Sequence, residues 1–386
     1  MSGDVHVRFR EHLRGRFPRV TRLGALDTKA REEMVDDFIS ADPTQISWNR
    51  SLRQELVKGR RFDFEPESLT ISLYRPYSKQ WVYYNRNLNA YVNQMPRIFP
   101  KSAEENRVIC VTGIGGNKDF SCLITDTLPD VQTFSNGQCY PLYLYDEPGT
   151  ETPVQPNLFA TASPPTKEER TRRDALTDAG LAHFQTAYPD ETISKEDVFY
   201  YVYGLLHSPS YRERYADNLS KELPRIPCVK TAADFWAFSQ AGRGLADLHL
   251  NYETAPLHPF QIDTGGKALT AADYRVEKMR YGKQGKDKDL TTLHYNAKIT
   301  LTGIPLEAYD YIVNGKPALD WVVERQCVKT DKDSGIVNDA NDWAIETMHN
   351  PRYPLELFQR VITVSLETMK IVRSLPSLQL TPTMTP

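Results

Sequence analysis

Residues 204–215 read GLLHSPSYRERY, and the Ser-Pro at 208–209 interrupts an otherwise continuous amphipathic pattern. Upstream, Val198, Val202 and Leu205 recur at helical spacing; downstream, Tyr211, Tyr215 and Leu219 do the same. Pro209 fits the first position of a second helix, where a missing N–H costs nothing. Two helices joined this closely form either a DNA-reading helix-turn-helix or a packed hairpin. Tyr211, Tyr215 and Leu219 share one stripe, and such a stripe faces a core more often than a groove. The spacing favours a packed helical hairpin, with Arg212 and Arg214 turned away from the stripe as candidate phosphate contacts.

Working outward, the chain changes character across 146–169, DEPGTETPVQPNLFATASPPTKEE. A stretch so rich in Pro, Thr and Ser buries too little apolar surface to order itself, and reads as a linker or long surface connection. Before it, alternation and aromatic or β-branched residues predict strands over 68–85, 106–115 and 140–146. Short helices are expected near 28–39 and 47–58, the second with Ser51 and Gln54 at capping-box spacing. After it, the pairs Thr166/Glu169, Ser194/Asp197 and Thr231/Asp234 mark helix starts. A β-hairpin is expected over 274–301, its strands at 274–282 and 291–301, followed by helices near 305–313, 317–325 and 355–374. The expected fold is α+β: a strand-rich N-terminal lobe followed by a mainly helical lobe with an inserted β-hairpin. The boundaries are 1–45 for a connecting segment, 46–147 for the strand-rich lobe, 148–165 for the linker and 166–386 for the helical lobe.

With 386 residues, 40% hydrophobic and 25% charged, the composition is that of an ordinary soluble protein of two or three domains. No apolar run is long enough to span a bilayer, and the N-terminus lacks the apolar core of a secretory signal. Five scattered cysteines without C-x-x-C point to reduced thiols in a cytoplasm, and away from zinc or a disulfide framework. Net charge is −3, yet basic residues cluster. Residues 8–22 hold six arginines against Glu11, 50–61 hold five basic residues against Glu55, and 274–288 form a third cluster. Local basic faces on a near-neutral protein suit a specific DNA contact, although each run alone also suits a solvated helix face.

The familiar catalytic signatures are missing. There is no P-loop, G-x-S-x-G or H-E-x-x-H. TGIGGNKDF (112–120) matches no nucleotide-binding spacing and reads as a tight turn, with an anion-binding nest as the other reading. His207, at the end of an apolar helix face, reads as structural. LPDVQ (128–132) and QGK (284–286) resemble fragments of a restriction-type nuclease motif, but acids must converge on one cation for that chemistry. VKTDKDSGIVNDANDW (328–343) lacks EF-hand spacing and reads as a loop with Asx turns.

Several stretches in order carry a resemblance. They include SLYRPYSKQWVYYNRNLN, NRVICVTGIGGNKDFSCLITDTLPD, GQCYPLYLYD, FYYVYGLLHSPSYRERYADNLSKELPRIP, FWAFSQAGRGLADLHLNYE, YRVEKMRYGK, IPLEAYDYIVNGKPALDWVVERQ and VSLETMKIV. From about Ile46 to Leu375 the chain resembles the C-terminal specificity region of single-polypeptide Type I (Type ISP) restriction-modification enzymes. The resemblance implies recognition of a DNA sequence and its presentation to an adenine-N6 methyltransferase and a translocase-nuclease. It implies no catalytic residue and no cofactor in this chain. S-adenosylmethionine, ATP and Mg²⁺ are expected only in partner domains, because neither N-P-P-[YFW] nor a glycine-rich methyl-donor loop occurs here.

Base reading uses Arg or Lys for guanine and Asn or Gln for adenine. YNRNLNAYVNQMPR (84–97) concentrates those types as Asn85, Arg86, Asn87, Asn93, Gln94 and Arg97; a polar turn is its other reading. Asn117 and Lys118 sit at a Gly-rich tip. Arg280, Lys283, Lys286 and Lys288 lie on or near the hairpin tip as expected phosphate contacts. The expected partner is double-stranded DNA, with no membrane involved. The competing readings are a metal-dependent DNA nuclease and an assembly subunit that never touches DNA.

Overall fold

The computed structural model describes residues 27–39, 50–60, 64–86, 88–89, 92–100, 105–116, 118–146, 170–333 and 335–380. The arginine-rich 8–22 cluster, the 148–165 linker, the Thr166/Glu169 pair, Asn87, Asn117 and the side chain of Ser51 lie outside them.

The first part carries helices α1 (Thr28–Phe38) and α2 (Arg50–Val57), then strands β1 (Leu69–Arg75) and β2 (Ser78–Tyr83). Strands β3 (Val108–Val111), β4 (Cys122–Thr125), β5 (Leu128–Pro129), β6 (Gln138–Pro141), β7 (Tyr143–Asp146) and β8 (Thr171–Asp174) follow. They build two small sheets, ordered β2-β1-β5 and β4-β3-β6, and a β7–β8 ribbon. Every residue of β3, VICV, is buried. Because strand side chains alternate, Val108 and Cys110 join one core with Leu301, Trp321 and Phe358. Ile109 and Val111 join a second core with Tyr201, Phe235 and Phe238. Both cores therefore mix residues from before and after the Pro-rich segment. The strands flanking that segment also pair, Asp146 opposite Thr171.

Helices follow as α3 (Asp178–Ala187), α4 (Lys195–His207), α5 (Pro209–Arg214) and α6 (Ala232–Leu250), with α7 (Ala318–Arg325) and α8 (Tyr353–Ser374) later. The start of α4 is the expected capping box: Asp197 N–H donates to Ser194 Oγ at 3.1 Å, and Ser194 N–H to Asp197 Oδ2 at 2.9 Å. Thr231 caps α6 in the expected way. Helices α4 and α6 meet backbone to backbone. A Cβ on Gly204 would lie 2.1 Å from the Phe238 carbonyl oxygen, and one on Gly242 1.9 Å from that of Tyr200. Only glycine permits this approach.

The Ser208-Pro209 break is a packed hairpin. Tyr211 is fully buried, and its hydroxyl donates to the Arg225 carbonyl at 2.7 Å. Arg212 Nε donates to the Leu206 carbonyl at 2.7 Å. That carbonyl belongs to the last turn of α4, where the helix supplies no partner of its own. Arg214 is exposed. His207 is structural: it is buried, 2.9 Å from the Tyr203 carbonyl through Nδ1, and burial pushes it down to about 3.

Three expectations for the C-terminal half need correction, the first being that 328–343 is a plain loop: Val328–Thr330 pairs antiparallel with Val337–Asp339. The hairpin expected over 274–301 belongs to a four-stranded antiparallel sheet of β9 (Gln261–Asp263), β10 (Arg280–Gln284), β11 (Asp287–His294) and β12 (Thr300–Thr302), ordered β10-β11-β12-β9. Its first strand begins at Arg280 rather than 274. Residues 271–274 form a 3₁₀ turn capped by Thr270 and Asp273. Asn341 satisfies both backbone groups of Val276 (2.9 Å each), so no strand partner is needed there. The expected helix at 305–313 is a single 3₁₀ turn, Leu306–Tyr309, followed by a ribbon pairing Ile312–Val313 with Lys316–Pro317. Asn314 and Gly315 both have positive φ (47° and 82°), which makes the Asn-Gly turn that closes such ribbons.

Candidate nucleic-acid interface

The β10–β11 ribbon is where sequence and geometry concentrate unneutralised positive charge. Tyr281 and Leu293 are paired and turned inward, Leu293 completely buried. Their neighbours Arg280 and His294, also directly opposed, are exposed. Past a bulge, Lys283 stands directly opposite Lys288 and both are exposed. Like charges facing across a sheet destabilise it, by up to ~1 kcal/mol. Gly285, at φ 64°, and Lys286 make the two-residue turn, in the Gly-x order of a type II′ hairpin. Lys283 and Lys288 therefore sit on paired strands and Lys286 in a tight turn, not on the long open tip expected from the sequence. Among the described residues none of Lys278, Arg280, Lys283, Lys286 and Lys288 forms an ion pair.

Beside the ribbon lies a cleft of about 650 Å³, lined by Arg275, Lys278, Arg280, His294 and Lys298 and by the acids Asp273 and Glu277. Some of that charge is spent internally. Arg275 binds Glu277 at 2.8 Å and Asp339 at 2.7 Å. Lys298 pairs with Asp273 and holds its carboxyl well below the ordinary carboxylate range. Lys278 and Arg280 remain available to an outside anion. Mobile ammonium groups and a guanidinium fork on a solvated face suit phosphate oxygens. No reactive nucleophile accompanies them.

The 84–97 loop is differently employed. Asn85 donates through Nδ2 to Glu65 at 3.0 Å, and its backbone N–H donates to Asn89 Oδ1 at 2.7 Å. Arg97 donates to Asp146 at 2.6 Å, and Asp146 also accepts from Arg173 at 2.8 Å. These arginines hold the Asp146 carboxyl below its usual range, the Arg97 hydrogen bond first. Arg170 reaches back to the Pro96 carbonyl at 3.1 Å. Arg97 thus fastens the loop to the β7–β8 ribbon. Arg86, Asn93 and Gln94 are the exposed members of the set, Asn93 in the left-handed region at φ 48°. Lys118 is exposed at the Gly-rich turn, its stem against the 314–315 turn: a Cβ on Gly315 would lie 2.9 Å from Lys118 Cδ.

The structure adds basic residues that sequence reasoning passed over. Lys278 and His294 follow from period-two alternation around buried Met279 and Leu293. Arg172 on exposed β8, 4.4 Å over the Tyr143 ring, is hidden in the sequence because its strand abuts the Pro-rich segment. The acid of LPDVQ is occupied: Asp130 accepts from Arg75 and from the Gln132 N–H, both at 2.8 Å. Among the described residues no three His, Cys, Asp or Glu side chains group as metal ligands, and no helix is long and apolar enough to cross a membrane.

The described residues thus form an α+β fold that carries a basic sheet face on the β10–β11 ribbon. The profile of the Type ISP C-terminal specificity domain matches residues 10–357, and the chain belongs to that family. Solved structures agree. A nuclease-deletion mutant of the Type ISP restriction-modification enzyme LlaGI, in complex with a DNA substrate mimic, is 33% identical with a TM-score of 0.76. The match covers 99% of this chain and 31% of that one. The ATP-dependent Type ISP enzyme LlaBIII bound to DNA is 34% identical over 92% of this chain and 21% of its own, with a TM-score of 0.75. A DrdV–DNA complex gives 30% identity, 94% and 33% coverage and a TM-score of 0.72. The chain therefore spans a third or less of the length of each. No curated protein matches.

Proposed function

We propose that this chain reads a DNA sequence for a Type ISP restriction-modification enzyme. On this reading it presents the duplex to an adenine-N6 methyltransferase and a translocase-nuclease in the cytoplasm. S-adenosylmethionine, ATP and Mg²⁺ belong to those partner domains, and this chain contributes recognition alone. The observation that carries the reading is the Lys283–Lys288 pair, which costs the free sheet stability and is compensated when a phosphate lies between the two ammonium groups. The β10–β11 face with Lys278 and Arg280 then positions the duplex. The exposed loop residues Arg86, Asn93 and Gln94 supply the residue types that read base edges, with Arg97 as their anchor.

Fluorescence anisotropy of the purified chain on a labelled duplex tests this reading. Binding at ~50 mM salt that weakens steeply toward ~200 mM is the expected signature of phosphate neutralisation. Absence of binding at the lower salt favours the assembly-subunit reading. In the complete enzyme, Arg86→Ala and Asn93→Ala relax recognition at particular base pairs; unchanged site fidelity in both makes the loop a turn only.

A further inference from the structure

Cys110 on β3 and Cys139 on β6 stand directly opposite each other, both as free thiols, with sulfurs 3.7 Å apart. The Leu142 N–H donates to the Arg107 carbonyl at 2.7 Å, which makes 107 and 142 a hydrogen-bonded pair of the same ladder. Alternation along the strands then makes 110 and 139 a non-hydrogen-bonded pair, whose Cα atoms approach to ~4.5 Å. Disulfides span Cα separations of about 4.4–6.8 Å, so rotation of the two side chains suffices to join the sulfurs.

The two thiols differ in access. β6 is an edge strand, and Cys139 is half-buried on the wall of an apolar groove of about 500 Å³ bounded also by Phe199, Leu206 and Ile226. Cys110, one strand inward, is buried. An accessible thiol backed by a protected one is the layout of an attacked cysteine and its resolving partner.

We propose that Cys110 and Cys139 form an oxidation site at which a peroxide converts the dithiol into a cross-strand disulfide. The Cys139 thiolate attacks a peroxide oxygen; the O–O bond breaks, a sulfenic acid forms on Cys139, and the other oxygen leaves as water after taking a proton. The Cys110 sulfur then attacks the sulfenic sulfur. The S–O bond breaks, the S–S bond forms, and a second water departs with the Cys110 proton. The two thiols lose two electrons and hydrogen peroxide gains two.

Local electrostatics favour this division of roles. A hydrogen bond from the Cys110 thiol lowers the Cys139 thiol, whereas that bond and burial keep Cys110 protonated. Burial pushes Cys122 and Cys228 up to about 11 and raises Cys327 as well. The thiolate is the reacting species, so Cys139 is the cysteine set to react first.

Hydrogen peroxide titrated into the full native chain, followed by alkylation of free thiols and a non-reducing peptide map, tests the site. The expected first product is a linked Cys110–Cys139 peptide that dithiothreitol reverses. Cys110→Ser leaves a Cys139 sulfenic acid that dimedone traps, and Cys139→Ser leaves Cys110 unoxidised at the same dose. The proposal is overturned by wild-type chain of unchanged circular dichroism that gives no linked peptide, or that oxidises first at Cys228 or Cys327. The wild-type map depends on no variant's folding and is independent of DNA binding.

Discussion

At the α4–α6 crossing two helix backbones touch through Gly204 and Gly242. At the β10–β11 ribbon two strands carry one exposed lysine opposite another. The crossing is closed on itself. Tyr203 Oη lies 2.6 Å from His249 Nδ1, and His249 Nε2 lies 2.9 Å from Thr368 Oγ1 on α8, all three side chains buried. The ribbon lysines form no ion pair with the described residues, although Lys288 Nζ lies 5.7 Å over the Tyr281 ring. One region spends its chemistry on holding the fold; the other accepts a cost that an external anion can remove.

That contrast predicts unequal responses to substitution. The largest is at the crossing. Gly204→Ala and Gly242→Ala each drive a methyl into a carbonyl oxygen and should lower unfolding stability by about 3 kcal/mol, read from urea denaturation. A loss under ~0.5 kcal/mol at both sites, within the range of ordinary surface substitutions, would mean that the helices do not meet there.

An intermediate effect follows from His207, which burial pushes down to about 3, against an ordinary value of ~6.5. As pH falls below ~6.5 the unfolded chain takes up a proton there and the folded chain does not. Stability tied to this residue is therefore complete above that pH and lost below it, by about 2 kcal/mol on reaching about pH 5. His207→Gln should flatten the pH slope by that amount relative to wild type. His249, lowered by the same burial, keeps part of the slope in the variant. Equal slopes in the two proteins would place a protonated imidazole inside the core.

The smallest effect belongs to the ribbon. Lys288→Glu sets opposite charges across from Lys283 and should raise stability by roughly 0.5 kcal/mol while weakening binding to duplex DNA. A variant that gains stability without weaker DNA binding would separate the ribbon from the interface.

How far these regions are legible in the sequence follows from how local their causes are. The capping box at Ser194, the Thr231 N-cap, the Pro209 helix start and the apolar run of β3 each depend on a few adjacent residues, and each is readable. The Asn314-Gly315 turn is equally local, but the apolar spacing before it suggests a helix over 305–313, where a 3₁₀ turn and a short strand stand. Val276 reads as a strand residue because its true partner, Asn341, lies 65 residues away. Within the candidate site, residue type is legible and engagement is not. Arg97 looks available to an outside partner until Asp146, 49 positions on, proves to hold it. The basic stretch around 280–288 is visible as composition, yet the confrontation of Lys283 with Lys288 depends on a register fixed by Gly285.

The salt dependence of DNA binding by a chain with Lys283, Lys286 and Lys288 all replaced by Ala tests the central claim most directly. Each lysine withdrawn from a phosphate lowers the slope of log K against log salt by about 0.9. With all three withdrawn, the slope should flatten by up to about 2.7, cognate and non-cognate duplexes should weaken alike, and thermal stability should stay at or slightly above that of wild type. An unchanged slope with unchanged affinity would contradict the account and leave the ribbon a solvated edge turned away from DNA.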